Sequence, residues 1–296
     1  MDFCNDFPVN GNSFKQQIID LLYRDLFNIP SNGCLEEWYD LMTNNVNSSN
    51  NGWNNIVPKP INGKINVDFK KKDALFECDK NLFKSPSIAP LFSYYYYNFG
   101  HDVPVWVSNG NIENMIRIMI VSQDPLRNRD IYGKILFSSP FGIHCHDYRN
   151  KKNQSLMKIL QGLWQNNKIV FYLTDFNKLY IQKSGANETS IQTLDRRHPT
   201  IAQNFKSILD KEIDLFKPNL IVTLADYTSK NLLGRAINTE NRFKKHTYNG
   251  IDVLPMYHIA EGRVAIYRKK KYDEVNTMGK YADWIDWYID EISQCL

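Results

Sequence analysis

Four short apolar runs, rich in β-branched side chains, alternate with segments of helical spacing in the second part of the chain. The runs cover residues 116–121, 168–174, 219–224 and 251–255. Runs with so little polar interruption are typical of strands that are covered on both faces. Because the strands are separated by helices, the pattern predicts a parallel sheet with right-handed crossovers, and therefore an α/β fold.

The first hundred residues have a different pattern. Ser13 is a candidate cap for a helix that begins at Phe14, and a second short helix is predicted over residues 35–42. An Asn-rich stretch that follows is typical of an exposed loop. We therefore divide the chain into a mainly helical N-terminal extension, residues 1–100, which packs on the core, and an α/β domain, residues 101–296.

Polar side chains follow the predicted strands directly. Asp124 lies in the turn after the first strand, Asp175 follows the second, and Asp226 follows the third. His258 comes shortly after the fourth. The carboxyl ends of parallel strands meet at one edge of a sheet, and ligands bind at that edge in open α/β folds. The alternative is an ordinary exit from each strand, with the Asp as a cap.

Composition and charge indicate a globular protein and argue against a membrane-spanning one. At 296 residues and 43% hydrophobic the chain can bury a sizeable core. A net charge of +4 permits DNA binding without requiring it. No apolar run is long enough to span a bilayer, and the N terminus lacks a signal-peptide pattern. Five scattered cysteines without a framework fit a reducing cytoplasm, so we expect a cytoplasmic protein.

Metal and cofactor chemistry is not expected. The cysteines form no Cys-x-x-Cys pair. Residues 144–147, His-Cys-His-Asp, invite a metal interpretation, but no second group of ligands has a clear spacing.

Several motifs between residues 101 and 268 resemble, in order, those of the uracil-DNA glycosylase superfamily. Residues 122–125, Ser-Gln-Asp-Pro, look like its Gly-Gln-Asp-Pro loop, which activates water. Phe137 is similar to the Phe that stacks on the flipped base. Asp175 lies where members carry an Asn that reads the pyrimidine edge, and His258 falls at the catalytic His of a His-Pro-Ser motif.

The resemblance implies a three-layer α/β/α fold around a central, mainly parallel four-stranded sheet. The likeness has departures. Ser122 stands in place of Gly, and Ile259-Ala260 replaces Pro-Ser after His258. The cysteines that hold a cluster in the iron–sulfur branches have no counterparts.

Breaking an N-glycosidic bond builds positive charge on the sugar and leaves the base as an anion. The resemblance assigns Asp124 to orienting water and balancing that charge, and His258 to donating a hydrogen bond to the base. A structural histidine at the strand end is the alternative for His258. The base must be flipped into a pocket. The base-binding candidates are Gln123, Leu126, Phe137 and Asp175.

Two of these positions bear on the substrate. An amide offers a donor and an acceptor to uracil, whereas an ionised Asp175 only accepts and favours the amino group of cytosine. Leu126 stands where the family's Tyr crowds carbon 5 of the base, so a substituent there is accommodated. We expect a cytosine modified at carbon 5, such as a glucosylated cytosine of phage DNA, because some superfamily members excise such bases in phage defence.

The expected partner is DNA, with no membrane contact, and the expected state is a monomer. Arg263 lies in a segment that resembles the loop that wedges into the gap left by the flipped nucleotide. Arg127, Lys178 and Arg268 are candidate contacts to DNA phosphates. Plain solvated charge is the alternative.

Three other functions stay open. A reader of modified DNA would tolerate loss of Asp124. A hydrolase of free nucleosides would be indifferent to polymer length and to changes at Arg263. A uracil-DNA glycosylase of base excision repair would result if Asp175 were displaced from the reading position.

Overall fold

The computed structural model describes residues 2–28, 30–31, 33–47, 65–66, 74–76, 98–125, 135–145, 149, 152–182, 199–260 and 263–296. Its strands are β1 Asp2–Phe3, β2 Pro8–Val9, β3 Asn12–Ser13, β4 Ile65–Asn66, β5 Ala74–Phe76, β6 Asn98–Asp102, β7 Val105–Ser108, β8 Ile116–Ser122, β9 Ile135–Ser138, β10 Ile169–Asp175, β11 Tyr180–Gln182, β12 Leu220–Leu224, β13 His246–Tyr248 and β14 Ile251–Met256. Its helices are α1 Phe14–Leu21, α2 Cys34–Asn47, α3 Gln154–Trp164, α4 Pro199–Phe216, α5 Asp226–Leu233, α6 Arg263–Val275 and α7 Trp284–Ser293.

The predicted parallel sheet is confirmed. Strands β10, β8, β12 and β14 lie side by side in that order, and all three pairs are parallel. Three antiparallel strands that the sequence did not predict extend it to seven, with β7 and β1 beyond β10 and β13 beyond β14. The four parallel strands therefore occupy the centre, where both faces are covered.

Helices cover the sheet on both faces, which confirms the three-layer architecture. Successive residues of a strand point to opposite faces. In β10, the ring of Phe171 lies 5.5 Å from that of Trp164 in α3, whereas the ring of Tyr172 lies 5.9 Å from Phe14 in α1 and 5.1 Å from Phe216 in α4. Helix α3 therefore packs on one face, and α1 and α4 pack on the other.

The order of the central strands leaves a crevice at one edge of the sheet. From β8 the chain continues to β10 on one side, then returns to β12 and β14 on the other side. At such a reversal the connections leave in opposite directions, so a crevice opens outside the carboxyl ends of the strands. The ends of all four parallel strands meet there.

The described part of the first hundred residues packs on this core. Strand β1 pairs with β7 at the edge of the seven-stranded sheet. The predicted cap is confirmed, since the side chain of Ser13 accepts a hydrogen bond of 3.0 Å from the backbone N–H of Gln16. Helix α2 is longer than the segment 35–42 predicted for it. The division of the chain at residue 100 stays a prediction.

A second sheet flanks the crevice. Its strand order is β11-β6-β9-β5-β4, and β6 runs parallel to β9. The sequence did not predict this sheet. Its strand β6 ends at Asp102, which is buried beside the crevice. In the part of the chain that the structure describes, helices are too short or too polar to cross a membrane.

Candidate active site

A cleft of about 380 Å³ occupies the crevice at the carboxyl ends of the parallel strands. All four strands contribute to it, through the loop after β8, the last residue of β10, the residue after β12 and the loop after β14. The lining residues are Asp102, Ser122, Gln123, Asp124, Phe141, Lys152, Asn153, Asp175, Ala225, His258 and Val264. The sequence predicted that Asp124, Asp175 and His258 meet at this edge, and the structure brings them together.

The loop that carries Asp124 is held by backbone hydrogen bonds to neighbouring strands. The N–H of Phe176 donates to the carbonyl of Ser122 at 2.9 Å, and that of Asn177 donates to the carbonyl of Gln123 at 3.0 Å. The hydroxyl of Thr228 in α5 donates to the same Ser122 carbonyl at 3.2 Å. The backbone next to Asp124 is therefore fixed, while its half-buried side chain lines the cleft together with Gln123.

His258 presents a defined tautomer to the cleft. The backbone N–H of Ala260 donates to Nδ1 of His258 at 2.9 Å, so Nδ1 acts as an acceptor. In a neutral imidazole the other nitrogen then carries the hydrogen. Burial, reinforced by the positive charge of Arg268, lowers the pKa of His258 to about 4. At neutral pH the ring is therefore uncharged, with Nε2–H as its donor.

Asp175 is the most deeply buried acid of the cleft. It is 2% exposed, and its Oδ1 accepts a hydrogen bond from the hydroxyl of Ser122. Burial and the charges of Asp102 and Asp124 raise the pKa of Asp175 well above its usual value, against the opposing effects of the Ser122 hydroxyl and the Lys178 ammonium. Burial and like charge therefore both favour the protonated form of this carboxyl group.

The raised pKa of Asp175 bears on the expected preference for cytosine, which stays a prediction. An ionised Asp175 only accepts hydrogen bonds, and the expected preference for cytosine depended on that state. The protonated group has one O–H donor and acceptor oxygens, as an amide has a donor and an acceptor. It therefore matches the edge of uracil as well as that of cytosine. The pattern along the chain does not predict the raised pKa of Asp175, because the neighbouring Asp102 comes from a distant strand, β6.

The aromatic ring that the structure describes in the cleft is that of Phe141, which the sequence analysis did not single out. Its centroid lies 5.9 Å from that of His258, at an interplanar angle of 32°. Phe141 follows Pro140 in a short 3₁₀ turn and adopts a left-handed backbone with φ of 59°. Its carbonyl accepts a hydrogen bond from the side chain of Asn153. A ring held at this place can stack on a base.

Ala225 contributes a strained backbone to the cleft. It joins β12 to α5 with φ of 132° and ψ of 153°, a combination that is almost confined to glycine. The predicted carboxylate at this strand end, Asp226, lies outside the cleft and forms an ion pair with Arg242. Asp226 therefore stands at the expected edge of the sheet, but its carboxylate is engaged outside the cleft.

Lys178 is not a contact for DNA, which corrects its assignment from the sequence. It is 1% exposed, and its Nζ donates to Oε2 of Glu212 at 2.7 Å and to the hydroxyl of Thr174 at 2.8 Å. Glu212 lies in α4 and is fully buried. An ammonium group enclosed in this way neutralises a buried carboxylate and does not reach a phosphate.

Arg268 is also unavailable to DNA phosphates. It is 3% exposed and lies beneath the loop that carries His258. Its Nη1 donates to the carbonyl of His258 at 2.9 Å and to that of Ala260 at 3.2 Å, while its guanidinium lies 3.9 Å above the ring of Trp284. These contacts make it a support of the His258 loop, and the assignment to DNA binding is wrong.

Four predicted residues cannot be placed with their side chains. Leu126 and Arg127 lie outside the described residues. The backbone of Phe137 lies in β9, and that of Arg263 begins α6, but the side chains of both lie outside the described part. Their assignments stay predictions. The described cation at the cleft is Lys152, which is exposed and was not predicted.

The arrangement is suited to acid–base chemistry on a nucleobase-sized ligand. It combines the Asp124 carboxylate, a neutral imidazole donor and a buried acid with a raised pKa in one cleft that also holds an aromatic ring. Over the residues with described coordinates, no cluster of three or more His, Cys, Asp or Glu side chains is arranged to hold a metal ion.

Comparison with protein families supports this interpretation of the cleft. The uracil DNA glycosylase superfamily matches residues 109–278, which is more than half of the chain and includes Asp124, Asp175 and His258. A comparison with curated proteins finds no match. By the family match, the chain belongs to the uracil DNA glycosylase superfamily.

Proposed function

We propose that this protein is a DNA glycosylase that flips a pyrimidine out of DNA, hydrolyses its N-glycosidic bond and leaves an abasic site. Membership of the superfamily supports DNA glycosylase activity and a DNA substrate in general. The observation that carries the proposal is the shared cleft, in which Asp124, Asp175 and His258 line one hollow with the ring of Phe141.

The chemistry divides between the two sides of the scissile bond. On the sugar side, the carboxylate of Asp124 orients a water molecule and stabilises the positive charge that develops at C1′. On the base side, Nε2–H of His258 donates to a carbonyl oxygen of the base, where negative charge builds up. A neutral imidazole suits this role because its donor is already in place before the bond breaks.

As the substrate we propose a cytosine with a substituent at carbon 5, such as a glucosylated hydroxymethylcytosine. The cleft volume, about 380 Å³, exceeds that of a bare pyrimidine ring and lies within the range of small-molecule sites, roughly 300–1,000 Å³. A protonated Asp175 offers an O–H to ring nitrogen N3 of cytosine and a carbonyl oxygen to its amino group.

Uracil is the second candidate, and the protonation of Asp175 favours it equally. The O–H of the acid matches the uracil carbonyl at carbon 4, and its other oxygen accepts from the ring N–H. The protein would then act in base excision repair.

The test measures release of free base from oligonucleotides that carry uracil, cytosine, hydroxymethylcytosine or glucosylated hydroxymethylcytosine. We expect release of the glucosylated base by the parent protein. We expect Asp124→Asn to reduce the rate by about 10²–10⁴-fold, because the water loses its general base. Asp20→Asn, which changes an exposed carboxylate of α1, is the matched control and should retain the parent rate.

Two outcomes contradict the proposal. Release of uracil alone would reject the modified-cytosine substrate but keep the glycosylase. If no base is released, while Asp124→Asn binds modified DNA as the parent does, the protein is a reader of DNA.

The biological role that fits this substrate is phage defence by a monomer in the cytoplasm. A bacterial host that produces the protein should resist a phage with glucosylated cytosines and stay sensitive to the same phage grown without the modification. Equal plating of both phages on that host would contradict this role.

A further inference from the structure

We propose that Asp175 is a catalytic general acid, which gives its proton to the base as the glycosidic bond breaks. This inference rests on the proposed function and assigns a chemical step to a residue that otherwise only reads the base edge. It predicts that the enzyme handles poor leaving groups of the cytosine type, which depart slowly as anions.

One carboxyl oxygen of Asp175 has no partner within the described part of the protein, while the other has a lone pair to spare. Oδ1 accepts from the hydroxyl of Ser122, which comes from the neighbouring strand β8. Oδ2 is fully buried and has no hydrogen-bond partner among the described groups, although the carboxyl group lines the cleft. A buried polar atom without a partner is costly to retain, so an unsatisfied one at a cleft points to a ligand.

The surrounding charges keep the proton on Asp175. Burial and the carboxylate of Asp102 in β6 act most strongly to raise the pKa of Asp175, and Asp124 adds to them. Lys178 opposes them, but Glu212 already pairs with its ammonium at 2.7 Å. The remaining titratable neighbours that line the cleft are His258, which is neutral, and Lys152, which is exposed.

With Oδ1 accepting from Ser122, the proton resides on Oδ2, which is the oxygen left for the base. An acid that stays protonated at the working pH is what general-acid catalysis requires. Ser122 and Asp175 are also two positions at which the sequence departs from the family motifs that it resembles, and here they are in contact.

The step balances in protons and electrons. The C1′–N1 bond breaks and its electron pair moves into the cytosine ring, while Oδ2 of Asp175 gives its proton to N3, so the base leaves neutral. Water forms a bond to C1′ and gives a proton to Asp124. That proton returns to Asp175 through solvent, and the sum is addition of one water. Uracil spreads the negative charge over two carbonyl groups, and so it departs without an acid.

The experiment compares two leaving groups in one protein. Asp175→Asn keeps the shape and neutrality of the side chain but removes the acidic proton. We expect it to reduce the single-turnover rate on the cytosine-type substrate by about 10²–10⁴-fold. Its rate on uracil should fall much less than its rate on the cytosine-type substrate, and DNA affinity, measured alongside, separates binding from chemistry. Asp20→Asn should change neither rate.

A second variant changes the pKa of Asp175 while Asp175 itself is kept. Asp102→Asn removes the carboxylate that most raises the pKa of Asp175, so the loss of cytosine-type activity at high pH should begin at a lower pH than in the parent. Infrared difference spectra of the parent against Asp175→Asn should show a protonated carboxyl band at pH 7, with or without DNA.

The outcomes separate the two proposals. Equal loss of both rates in Asp175→Asn, or absence of the protonated band, would overturn the general acid while the glycosylase stands. A parent protein that releases neither base would overturn the proposed function and the general acid with it.

Discussion

At the scale of single residues, burial shifts the pKa of two groups that line the cleft, His258 and Asp175. His258 is neutral at pH 7 with Nε2–H as its donor, and the pKa of Asp175 is raised well above its usual value. Burial is the largest cause of both shifts, because a low-dielectric interior disfavours the charged form of either group. Both shifts therefore favour the neutral form, and both groups line the same cleft.

Titration of His258 should reveal this directly. We expect ¹⁵N spectra of histidine-labelled protein, assigned with His258→Asn, to show an Nε2–H tautomer at pH 7 and a midpoint of about 4. His246 lies on β13, is paired with Arg235 and does not line the cleft. Its signals in the same spectra serve as an internal comparison. A midpoint near 6.5 for His258, or a proton on Nδ1, would show that the assigned role is wrong.

The same shift fixes the sign of a stability effect. The unfolded chain takes up a proton at His258 near the ordinary value of 6.5, while the folded protein resists until about 4. The contribution of His258 to the free energy of unfolding is therefore fully present above pH 6.5 and is lost as the pH falls toward 4.

At the scale of elements, the C-terminal helices hold the loop that follows β14. Arg268 in α6 bonds the carbonyls of His258 and Ala260 and rests on Trp284, which begins α7. Tyr288 in α7 donates its hydroxyl to the carbonyl of Tyr257 at 3.0 Å. The loop that carries the His258 imidazole is thus held by two helices.

Replacing Arg268 should show whether this residue supports the His258 loop or binds DNA phosphates. We expect Arg268→Met to lower the single-turnover rate by about 10²-fold through misplacement of His258, with DNA affinity and its salt dependence unchanged. It should also raise the pKa of His258, since a nearby positive charge is removed. Lys270→Met, an exposed change on the same helix, is the control. Weakened DNA binding with an unchanged rate would restore the role in DNA contact.

At the scale of the whole molecule, one core joins the N-terminal segment to the family domain. Phe14, Ile18 and Trp38 belong to the same buried cluster as Trp106 and Tyr172 of the central sheet. Strand β1 adds hydrogen bonds at the sheet edge. The N-terminal segment lies outside the family match, yet its side chains form part of the core of the family domain.

A chain reduced to residues 101–296 should fail to fold cooperatively. It would expose the face of the sheet that α1 and α2 cover, and several large aromatic side chains would lose their contacts. We expect loss of the thermal transition and increased binding of a hydrophobic dye. Phe14→Ala in the full chain should cost about 3–5 kcal/mol in the free energy of unfolding. A truncated chain with the Tm of the parent would contradict this view of the core.

The sequence by itself determined the central sheet and which edge of it carries the site. Apolar runs of strand length, separated by helices, specify parallel pairing because local pattern and chain connectivity suffice to fix it. The same pattern placed Asp124, Asp175 and His258 at strand ends, and the structure brings all three to one cleft.

Only the tertiary structure decided which charged side chains are exposed and which groups in the cleft have shifted pKa values. Lys178 and Arg268 look like surface cations in the sequence, yet Glu212 and the His258 loop enclose them. Asp102 and Phe141 reach the cleft from separate segments with no pattern that marks them. The physical reason is that burial and electrostatics depend on distances between remote parts of the chain, which periodicity along the sequence does not encode.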